Sequence, residues 1–340
     1  MGLDESSGIV IGKLKRGKKN LITDVSGVRV GHVTLNEDGI KTGVTAILPH
    51  EGNIFKEKVM AASYVLNGFG KSMGLVQIDE LGTIETPIIM TNTLSIGVAA
   101  TALIKYMLNQ NEDIGVKTGT VNCVITECND GSLNDIRGLH VKEEHIIQAI
   151  MNSNVDFQEG CVGSGTGMTC LGVKGGIGSA SRVIKLDNKE YTIGAIVMSN
   201  FGMNGDLMIS GEKVGEKISK LETDEKDKGS IIIVIATDIP LNERQLTRIA
   251  KRSAIGLGRT GSIMGNGSGD ICIAFTTANK INHYSDKDII DTKLLYEDNL
   301  DIVFRGAIEA VEESIISSLY HAETTIGYNG KVSKCLREYI

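Results

Sequence analysis

The sequence GSIIIVIATDIPL at residues 229–241 contains the most apolar β-branched run in the chain. A run without polar alternation predicts a strand that is buried on both faces, at the centre of a sheet. Directly before it, residues 211–229 read GEKVGEKISKLETDEKDKG, which is dominated by lysine, glutamate and aspartate. Such a charge run is typical of a solvated loop or a mobile segment. The chain therefore passes abruptly at Gly229-Ser230 from a polar tail to a buried strand.

On both sides of this strand along the chain, apolar runs bounded by glycine-containing turns predict further strands. These lie at 20–48, 87–91, 121–126, 172–183, 191–198 and 270–276. Apolar residues at helical spacing predict helices at 55–66, 95–108, 142–151, 243–257 and 301–319. Because strands follow one another without strict alternation with helices, we expect an α+β fold of stacked sheets covered by helices, as one domain over residues 1–340.

Composition limits the function classes. The net charge of −7 favours neither nucleic acid nor an anionic membrane surface as a partner. There is no run of eighteen apolar residues that would predict a membrane span, and the apolar piece at 8–12 is too short for a signal-peptide core. We therefore expect a cytoplasmic protein, with its six cysteines as free, mostly buried thiols.

Common site motifs fail in this sequence. The glycine-rich stretches at 70–72 and 163–168 miss the glycine that a phosphate loop or a dinucleotide fingerprint needs, and no GxSxG is present. No cysteine pair or histidine stands at metal-ligand spacing, so we expect neither a metal nor a cofactor. The six histidines occupy no recognisable catalytic setting, and we expect them to be structural or solvent-facing.

The Gly229-Ser230 junction carries chemistry if its peptide bond is cut. Ser230 then becomes an N-terminal residue on a rigid sheet, with a hydroxyl as nucleophile and an α-amine as base on the same residue. The reference pKa of such an amine is about 8, so no histidine is needed near neutral pH. Gly229 suits the cut because glycine tolerates strained backbone. From spacing alone, however, Gly-Ser before a strand is far more often an ordinary turn.

A resemblance over about residues 21–323 favours the first interpretation. It is carried by NLITDVSGVRVGHVTL (20–35), GVTAILPH (43–50), NGFGKSMG (67–74), ELGTIETPIIMTNTLSIG (80–97), ECNDGSLNDIRG (127–138), GSGTGMTCLGVKGGIGSASR (163–182), GSIIIVIATDIPL (229–241) and GRTGSIMGNGSGD (258–270). This ordered set resembles the DmpA-type aminopeptidases, which include L-aminopeptidase/D-amidase/D-esterase and β-peptidyl aminopeptidases of peptidase family S58. The resemblance implies a four-layer αββα sandwich like that of N-terminal-nucleophile hydrolases, with different connectivity.

The resemblance also implies self-cleavage into residues 1–229 and 230–340, with Ser230 as the nucleophile. The Ser-x-Asp/Glu element of the family corresponds to Ser268 and Asp270. Ser268 would orient a proton at Ser230, and Asp270 would hold Ser268 and stabilise nearby positive charge. Asn200 corresponds to the side-chain donor of the oxyanion hole.

Two residues correspond to the loop that faces the substrate. Glu127 would contact the free α-ammonium group of the substrate, and the backbone N–H of Asn129 would be a second oxyanion donor. Many family members have an aromatic or aliphatic residue where Asn129 stands, which leaves the accepted side chains open.

The sequence thus predicts a self-processing serine aminopeptidase or amidase that acts on small peptides, amides or esters through an acyl-enzyme. The resemblance further implies a homo-oligomer of cleaved pairs. Two alternatives stay open at this point. One is an acyltransferase of the ornithine acetyltransferase type, and the other is an inactive family member that serves as a binding protein.

Overall fold

The computed structural model describes residues 2–3, 7–219 and 229–340, so most of the predicted mobile charge run, at 220–228, lies outside the described residues. The longer strands are β1 (Arg29–Glu37), β2 (Ile40–Leu48), β3 (Glu57–Gly68), β6 (Ile88–Asn92), β7 (Val124–Cys128), β10 (Gly176–Leu186), β11 (Lys189–Asn200), β12 (Ser230–Thr237) and β13 (Gly269–Asn282). The two-residue strands are β4 (Ser72–Met73), β5 (Thr83–Ile84), β8 (Thr169–Cys170), β9 (Val173–Lys174), β14 (Thr325–Ile326) and β15 (Val332–Ser333). The α-helices are α1 (Leu75–Leu81), α2 (Ile96–Gln110), α3 (Glu143–Met151), α4 (Gly215–Ser219), α5 (Glu243–Ala250), α6 (Ser253–Arg259) and α7 (Leu300–Tyr320).

Two main sheets form the centre of the described structure. The first has the strand order β1-β2-β6-β7-β4, and the second has the order β10-β11-β12-β13-β3-β5. Neighbouring strands are antiparallel except for β6 with β7 and β12 with β13, which are parallel. In the second sheet, the starts of β12 and β13 therefore lie side by side. In the first sheet, the ends of β6 and β7 lie side by side.

The hydrophobic clusters show four layers. One cluster fills the space between the two sheets, with residues such as Ile88 and Val124 from the first sheet and Ile232 from the second. A second cluster packs the outer face of the first sheet against α2 and α3. A third packs the outer face of the second sheet against α5, α6 and α7. This order of helices, sheet, sheet and helices confirms the αββα sandwich.

Strand β12 has the central position that its sequence predicts. Ile231, Ile233 and Ile235 face the α5–α7 layer, whereas Ile232 and Val234 face the other sheet. Every residue of the strand is buried, so the continuous apolar run reflects burial on both faces.

The predicted helix at 55–66 is wrong. This segment forms β3, which pairs in antiparallel register with β13. Val59 and Ala61 point into the core between the sheets, whereas Ala62 packs towards the helices. A strand buried on both faces has apolar residues at many spacings, including the helical one, and the pattern alone does not distinguish the two.

The other elements differ from expectation mainly at their ends. The single helix predicted at 243–257 is divided into α5 and α6 by a turn at Lys251 and Arg252. The six cysteines are free thiols, and all but Cys161 are buried. Among the described helices, none combines the length and the apolar character that a bilayer crossing requires.

Candidate active site

The ends of three neighbouring strands bring the central site residues together. Ser230 begins β12, and the antiparallel register pairs it with Asn200 at the end of β11. The parallel register on the other side pairs Ser230 with Gly269 at the start of β13. Residues far apart in the chain therefore meet where the ends of these three strands lie together, as the family resemblance implies for Asn200, Ser230 and the 268–270 element.

The hydroxyl of Ser230 lies beside the bond that the sequence singles out. Its Oγ donates a hydrogen bond to the carbonyl oxygen of Gly229 at 2.8 Å and accepts one from the N–H of Gly269 at 3.3 Å. Ser230 is only 5 % exposed, so these contacts hold the hydroxyl in a nearly dry environment. Only glycine fits at position 229, because a Cβ there would lie 1.9 Å from the carbonyl oxygen of Asn200.

Ser268 and Asp270 flank Gly269, the register partner of Ser230. The hydroxyl of Ser268 donates to Oδ1 of Asp270 at 2.5 Å, and both side chains are buried. The amide of Asn67 donates to the carbonyl oxygens of Ser268 and of Gly265, which fixes this turn. The Ser268–Asp270 pair therefore lies at the start of β13, and each of the two residues is next in the chain to Gly269, the register partner of Ser230.

Asn200 is held from both sides by backbone groups. Its Oδ1 accepts a hydrogen bond from the N–H of Thr169 at 3.0 Å, and its Nδ2 donates to the carbonyl oxygen of Asn129 at 3.0 Å. The bond from Thr169 fixes which end of the amide carries the hydrogens. The contact with Asn129 places the two residues predicted as oxyanion donors next to each other, close to Ser230.

Glu127 lies at the end of β7 and is 3 % exposed. Its Oε1 accepts from the backbone N–H of Lys71 at 2.7 Å, and the hydroxyl of Thr93 donates to its Oε2. A Cβ at Gly70 would lie 3.4 Å from Oε1 of Glu127 and 3.3 Å from Cα of Gly269. Glu127 therefore lies on the β13 side of Ser230. The roles of Lys71 and Thr93 were not predicted, because nothing in the local sequence indicates a contact with a residue some 35 to 55 positions away.

A cavity of about 600 Å³ opens next to Gly229, the residue before Ser230. Its wall includes Asn129, Asn200 and Gly229 from the site, and Lys331 to Ser333 from the C-terminal segment. This volume is within the range of small-molecule sites. No pattern in the sequence predicts that the C-terminal segment contributes to this wall.

Burial shifts the pKa values of other ionisable groups near the site. Cys128, between Glu127 and Asn129, is fully buried, and burial raises the pKa of its thiol well above the ordinary value, so it is not a competing nucleophile. Burial also raises the pKa of Asp130 to about 6. The ring of His32 bonds to Thr45 and to the carbonyl oxygen of Gln158, away from Ser230, and burial lowers its pKa to about 4. Over the described ranges, no group of three or more histidine, cysteine, aspartate or glutamate side chains is placed to hold a metal ion.

The αββα sandwich, with the candidate site at the ends of its central strands, has the fold of the N-terminal-nucleophile hydrolases. The chain belongs to peptidase family S58, whose model matches residues 20–333. It is therefore a hydrolase of the aminopeptidase kind, as the sequence predicts.

Relatives and solved structures agree with this assignment. The β-peptidyl aminopeptidase BapA of Sphingosinicella microcystinivorans is 39 % identical over 93 % of this chain and 85 % of its own length. The PH0078 protein from Pyrococcus horikoshii OT3 is 53 % identical, with a TM-score of 0.95 over 99 % of this chain and 96 % of that chain. The L-aminopeptidase D-Ala-esterase/amidase of Ochrobactrum anthropi, described as a new variant of the N-terminal-nucleophile hydrolase fold, is 35 % identical, with a TM-score of 0.90 over 98 % of this chain and 94 % of that chain.

Proposed function

We propose that residues 1–340 fold as one domain that cuts itself between Gly229 and Ser230, and that the freed Ser230 is the nucleophile of an aminopeptidase. The observation that carries this proposal is the contact between Oγ of Ser230 and the carbonyl group of Gly229, at 2.8 Å from the oxygen. A buried hydroxyl beside the carbonyl of its own peptide bond is already close to the atom that it must attack.

The cut proceeds as an acyl shift followed by hydrolysis. Oγ of Ser230 attacks the carbonyl carbon of Gly229, the C–N bond breaks, and the nitrogen takes up the proton to become a free α-amine. Water then hydrolyses the resulting ester, which leaves a carboxylate on Gly229 and restores the Ser230 hydroxyl. The buried Ser268–Asp270 pair on the neighbouring strand supports this step, in which Ser268 passes or orients a proton for Ser230.

The same atoms then act on substrates. The α-amine of Ser230 accepts the hydroxyl proton as Oγ attacks the substrate carbonyl, and the proton goes to the leaving amine as the C–N bond breaks. Water hydrolyses the acyl-enzyme with the α-amine again as the base. The ring of His32 is bonded to Thr45 and Gln158, and burial lowers its pKa to about 4, which is consistent with a mechanism that needs no histidine.

Asn200 and Glu127 provide the electrostatic part of the proposal. An amide nitrogen carries two hydrogens, so Nδ2 of Asn200 keeps one for the developing oxyanion after its bond to Asn129, and the N–H of Asn129 is the second donor. The buried Glu127 carboxylate receives the α-ammonium group of the substrate. This pairing selects substrates with a free amino terminus, such as small peptides and amino-acid amides or esters.

Two properties of the whole protein complete the proposal. We place it in the cytoplasm, which the free state of all six cysteines supports, because reducing compartments keep thiols unpaired. We also propose a homo-oligomer of cleaved pairs, as the family resemblance implies. Cell fractionation and light scattering on purified material test these two points.

Replacement of Ser230 by alanine tests the function. Ser230→Ala should leave one uncut chain with no detectable turnover of amino-acid p-nitroanilides, because both the nucleophile of the cut and that of catalysis are gone. Intact mass and a denaturing gel measure the cut, and Ser285→Ala, at an exposed serine, is the matched control. An uncut wild-type chain that hydrolyses these substrates, or an active Ser230→Ala variant, would contradict the proposal.

A further inference from the structure

Asp130 is a fully buried carboxyl group that the proposed mechanism does not use. It follows Asn129, whose N–H is a proposed oxyanion donor, in the loop after β7. Burial raises the pKa of the Asp130 carboxyl to about 6, so near neutral pH most of the group is ionised and accepts hydrogen bonds. A buried charge costs stability unless hydrogen bonds compensate it, so the partners of Asp130 indicate what it does.

The carboxylate and the backbone of Asp130 close a turn directly after Asn129. Oδ1 of Asp130 accepts a hydrogen bond from Nδ2 of Asn134 at 3.1 Å. The carbonyl oxygen of Asp130 accepts from the N–H of Leu133 at 3.0 Å and from that of Asn134 at 2.9 Å. Asn134 is buried, and its Oδ1 accepts from the backbone N–H of Lys41 on β2 at 3.0 Å. The turn is therefore tied to the first sheet through Asn134.

Two further side chains of the first sheet lie beside the carboxylate. Thr42 on β2 and Asn92 at the end of β6 approach Asp130 and favour its ionised form. Nδ2 of Asn92 donates to Oγ1 of Thr42 at 2.8 Å, which leaves each side chain a hydrogen for the carboxylate. Within the described residues, Oδ2 of Asp130 has no partner in full hydrogen-bonding geometry, so these contacts are looser than the bond from Asn134.

On another side, Asp130 packs against the segment that holds Asn200. A Cβ at Gly167 would lie 2.8 Å from Cβ of Asp130, so the backbone at Gly167 lies directly against this side chain. Two residues further on, the N–H of Thr169 donates to Oδ1 of Asn200. Nδ2 of Asn200 in turn donates to the carbonyl oxygen of Asn129. Asp130 therefore lies where the supports of the two proposed oxyanion donors meet.

We propose that Asp130 is a positioning residue that holds the two oxyanion donors together, by fixing the turn after Asn129 and by packing against the segment before Thr169. This inference rests on the proposed function, since Asp130 acts through the donors assigned there to Asn129 and Asn200. Because these donors bind charge that develops only in the transition state, loss of the carboxylate should lower kcat. KM should change little, because Glu127 is held by groups outside this turn.

The test compares Asp130→Ala with Asp130→Asn in steady-state kinetics on an amino-acid p-nitroanilide. Asp130→Ala should lower kcat about tenfold to a hundredfold, which is less than the loss of a donor itself, with KM within about threefold of wild type. Asp130→Asn keeps an oxygen that accepts from Asn134 and should retain at least about a third of the wild-type kcat. Intact mass and thermal unfolding give the cut and folded fractions, and rates are expressed per cut, folded molecule.

A double-mutant cycle separates positioning from a general structural role. In the Asn200→Ala background, Asp130→Ala should lower kcat by a factor at least about threefold smaller than it does in wild type, because one of the donors through which it acts is already gone. If Asp130→Ala is too unstable to isolate, Asn134→Ala takes its place, because it removes the bond to Oδ1 and should lower kcat at least about threefold.

The matched control is Asp238→Ala. Burial also raises the pKa of Asp238, and its Oδ1 accepts from the backbone N–H of Thr192 at 2.7 Å, but it follows the opposite end of β12 from Ser230. Its kcat should stay within about twofold of wild type, since Asp238 is remote from both donors.

The outcomes distinguish this inference from the proposed function. An unchanged kcat in Asp130→Ala, or in Asn134→Ala where that variant replaces it, would overturn the role of Asp130 and leave the hydrolase intact. So would an equal loss in both backgrounds of the cycle, an equal loss in Asp130→Asn and Asp130→Ala, or an equal loss in Asp238→Ala. Absence of wild-type turnover of any amino-acid p-nitroanilide, amide or short peptide would overturn the proposed function together with this inference.

Discussion

Two groups of buried charges in this molecule look alike in sequence but differ in their partners. In the first, the guanidinium of Arg182 on β10 contacts the carboxylates of Glu309 and Glu313 on α7, all at 0–2 % exposure. In the second, the buried Glu127 accepts hydrogen bonds from neutral donors, the N–H of Lys71 and the hydroxyl of Thr93. None of the ion pairs found in the described part of the chain includes Glu127.

The kind of partner distinguishes buried charges that stabilise the fold from buried charges that are available to a ligand. The two carboxylates of the Arg182 group are balanced by two cations, because Arg16 also pairs with Glu313 at 2.9 Å. The group ties the N-terminal segment to the fold through the carbonyl oxygen of Ile11 and through Asn20, which donates to Glu313. The hydrogen bonds to Glu127 come from neutral groups, which suits the proposed contact with an ammonium group of the substrate. Changes in the first group should affect stability, and changes in the second should affect catalysis.

The largest effect should follow from breaking the internal group. Arg182→Met removes the buried cation from two buried carboxylates and leaves Glu313 with the partly exposed Arg16, and we expect the free energy of unfolding to fall by about 3–5 kcal/mol. Urea unfolding measures it. Lys105→Met is the control, because both side chains of the Lys105–Glu143 pair are exposed and the pair should contribute at most about 1 kcal/mol. Equal losses in the two variants would remove the distinction between the two groups.

The next effect concerns the site. Asn200→Ala should lower kcat by about 10²–10³-fold, since it deletes one donor to the oxyanion, with a much smaller change in unfolding free energy. Steady-state kinetics on a p-nitroanilide measures it. Asn204→Ala changes another amide on the same cavity wall, away from the strand end, and should retain most activity. Similar losses of kcat in both variants would count against the assignment.

Glu127→Gln tests the second group directly, because it removes the charge of the side chain but keeps its shape. We expect kcat/KM for substrates with a free amino terminus to fall about tenfold to a hundredfold, from loss of the pair with the α-ammonium group. Stability should hardly change. Glu80→Gln, at an exposed position, is the control. A variant that loses stability but not activity would place Glu127 with the Arg182 group.

The smallest effect comes from a third buried carboxylate. Glu159 is bonded to Ser179 and Ser317, with His321 3.8 Å away and Glu313 as a like charge nearby, and burial raises its pKa to about 8. Between pH 4.5 and 8 the unfolded state ionises this group and the folded state does not, so stability falls as the pH rises and the loss is complete above pH 8.

From pH 7 to 9 the contribution of Glu159 amounts to about 1 kcal/mol, and Glu159→Gln should abolish this part of the pH dependence. Unfolding at several pH values measures it, with Glu190→Gln on the surface as the control. An unchanged pH profile in Glu159→Gln would show that the carboxylate is already ionised near neutral pH.

Sequence patterns predicted the fold where one environment acts on a whole segment. The run at 230–237 is uniformly apolar because both faces of β12 are buried, so its central position followed directly. The same two-sided burial misled the interpretation of β3, where small and apolar residues at 59, 62 and 66 imitate a helical face. The partner of β3 is β13, about 200 positions away, and no local pattern contains that information.

The site shows the same limit. The Gly229-Ser230 junction is visible in the sequence as a change from charge to apolar residues, but the roles of Asn200, Ser268 and Asp270 followed only from the family resemblance. The contacts of Glu127 with Lys71 and Thr93, and the position of Lys331, depend on how separate loops meet at the sheet edge. Such contacts between distant segments arise only on folding.

The order of strands in the second sheet has a consequence for what a cut at Gly229 would leave behind. The fragment that starts at Ser230 contributes β12 and β13, which are wedged between β11 and β3 of the other fragment. Each of these two strands is therefore hydrogen-bonded to a strand of the other fragment, and dilution alone would not separate the two fragments. We expect the two chains to come apart only under denaturing conditions, so that each nucleophile stays for the life of the molecule with the Asn200 and Glu127 that were synthesised with it.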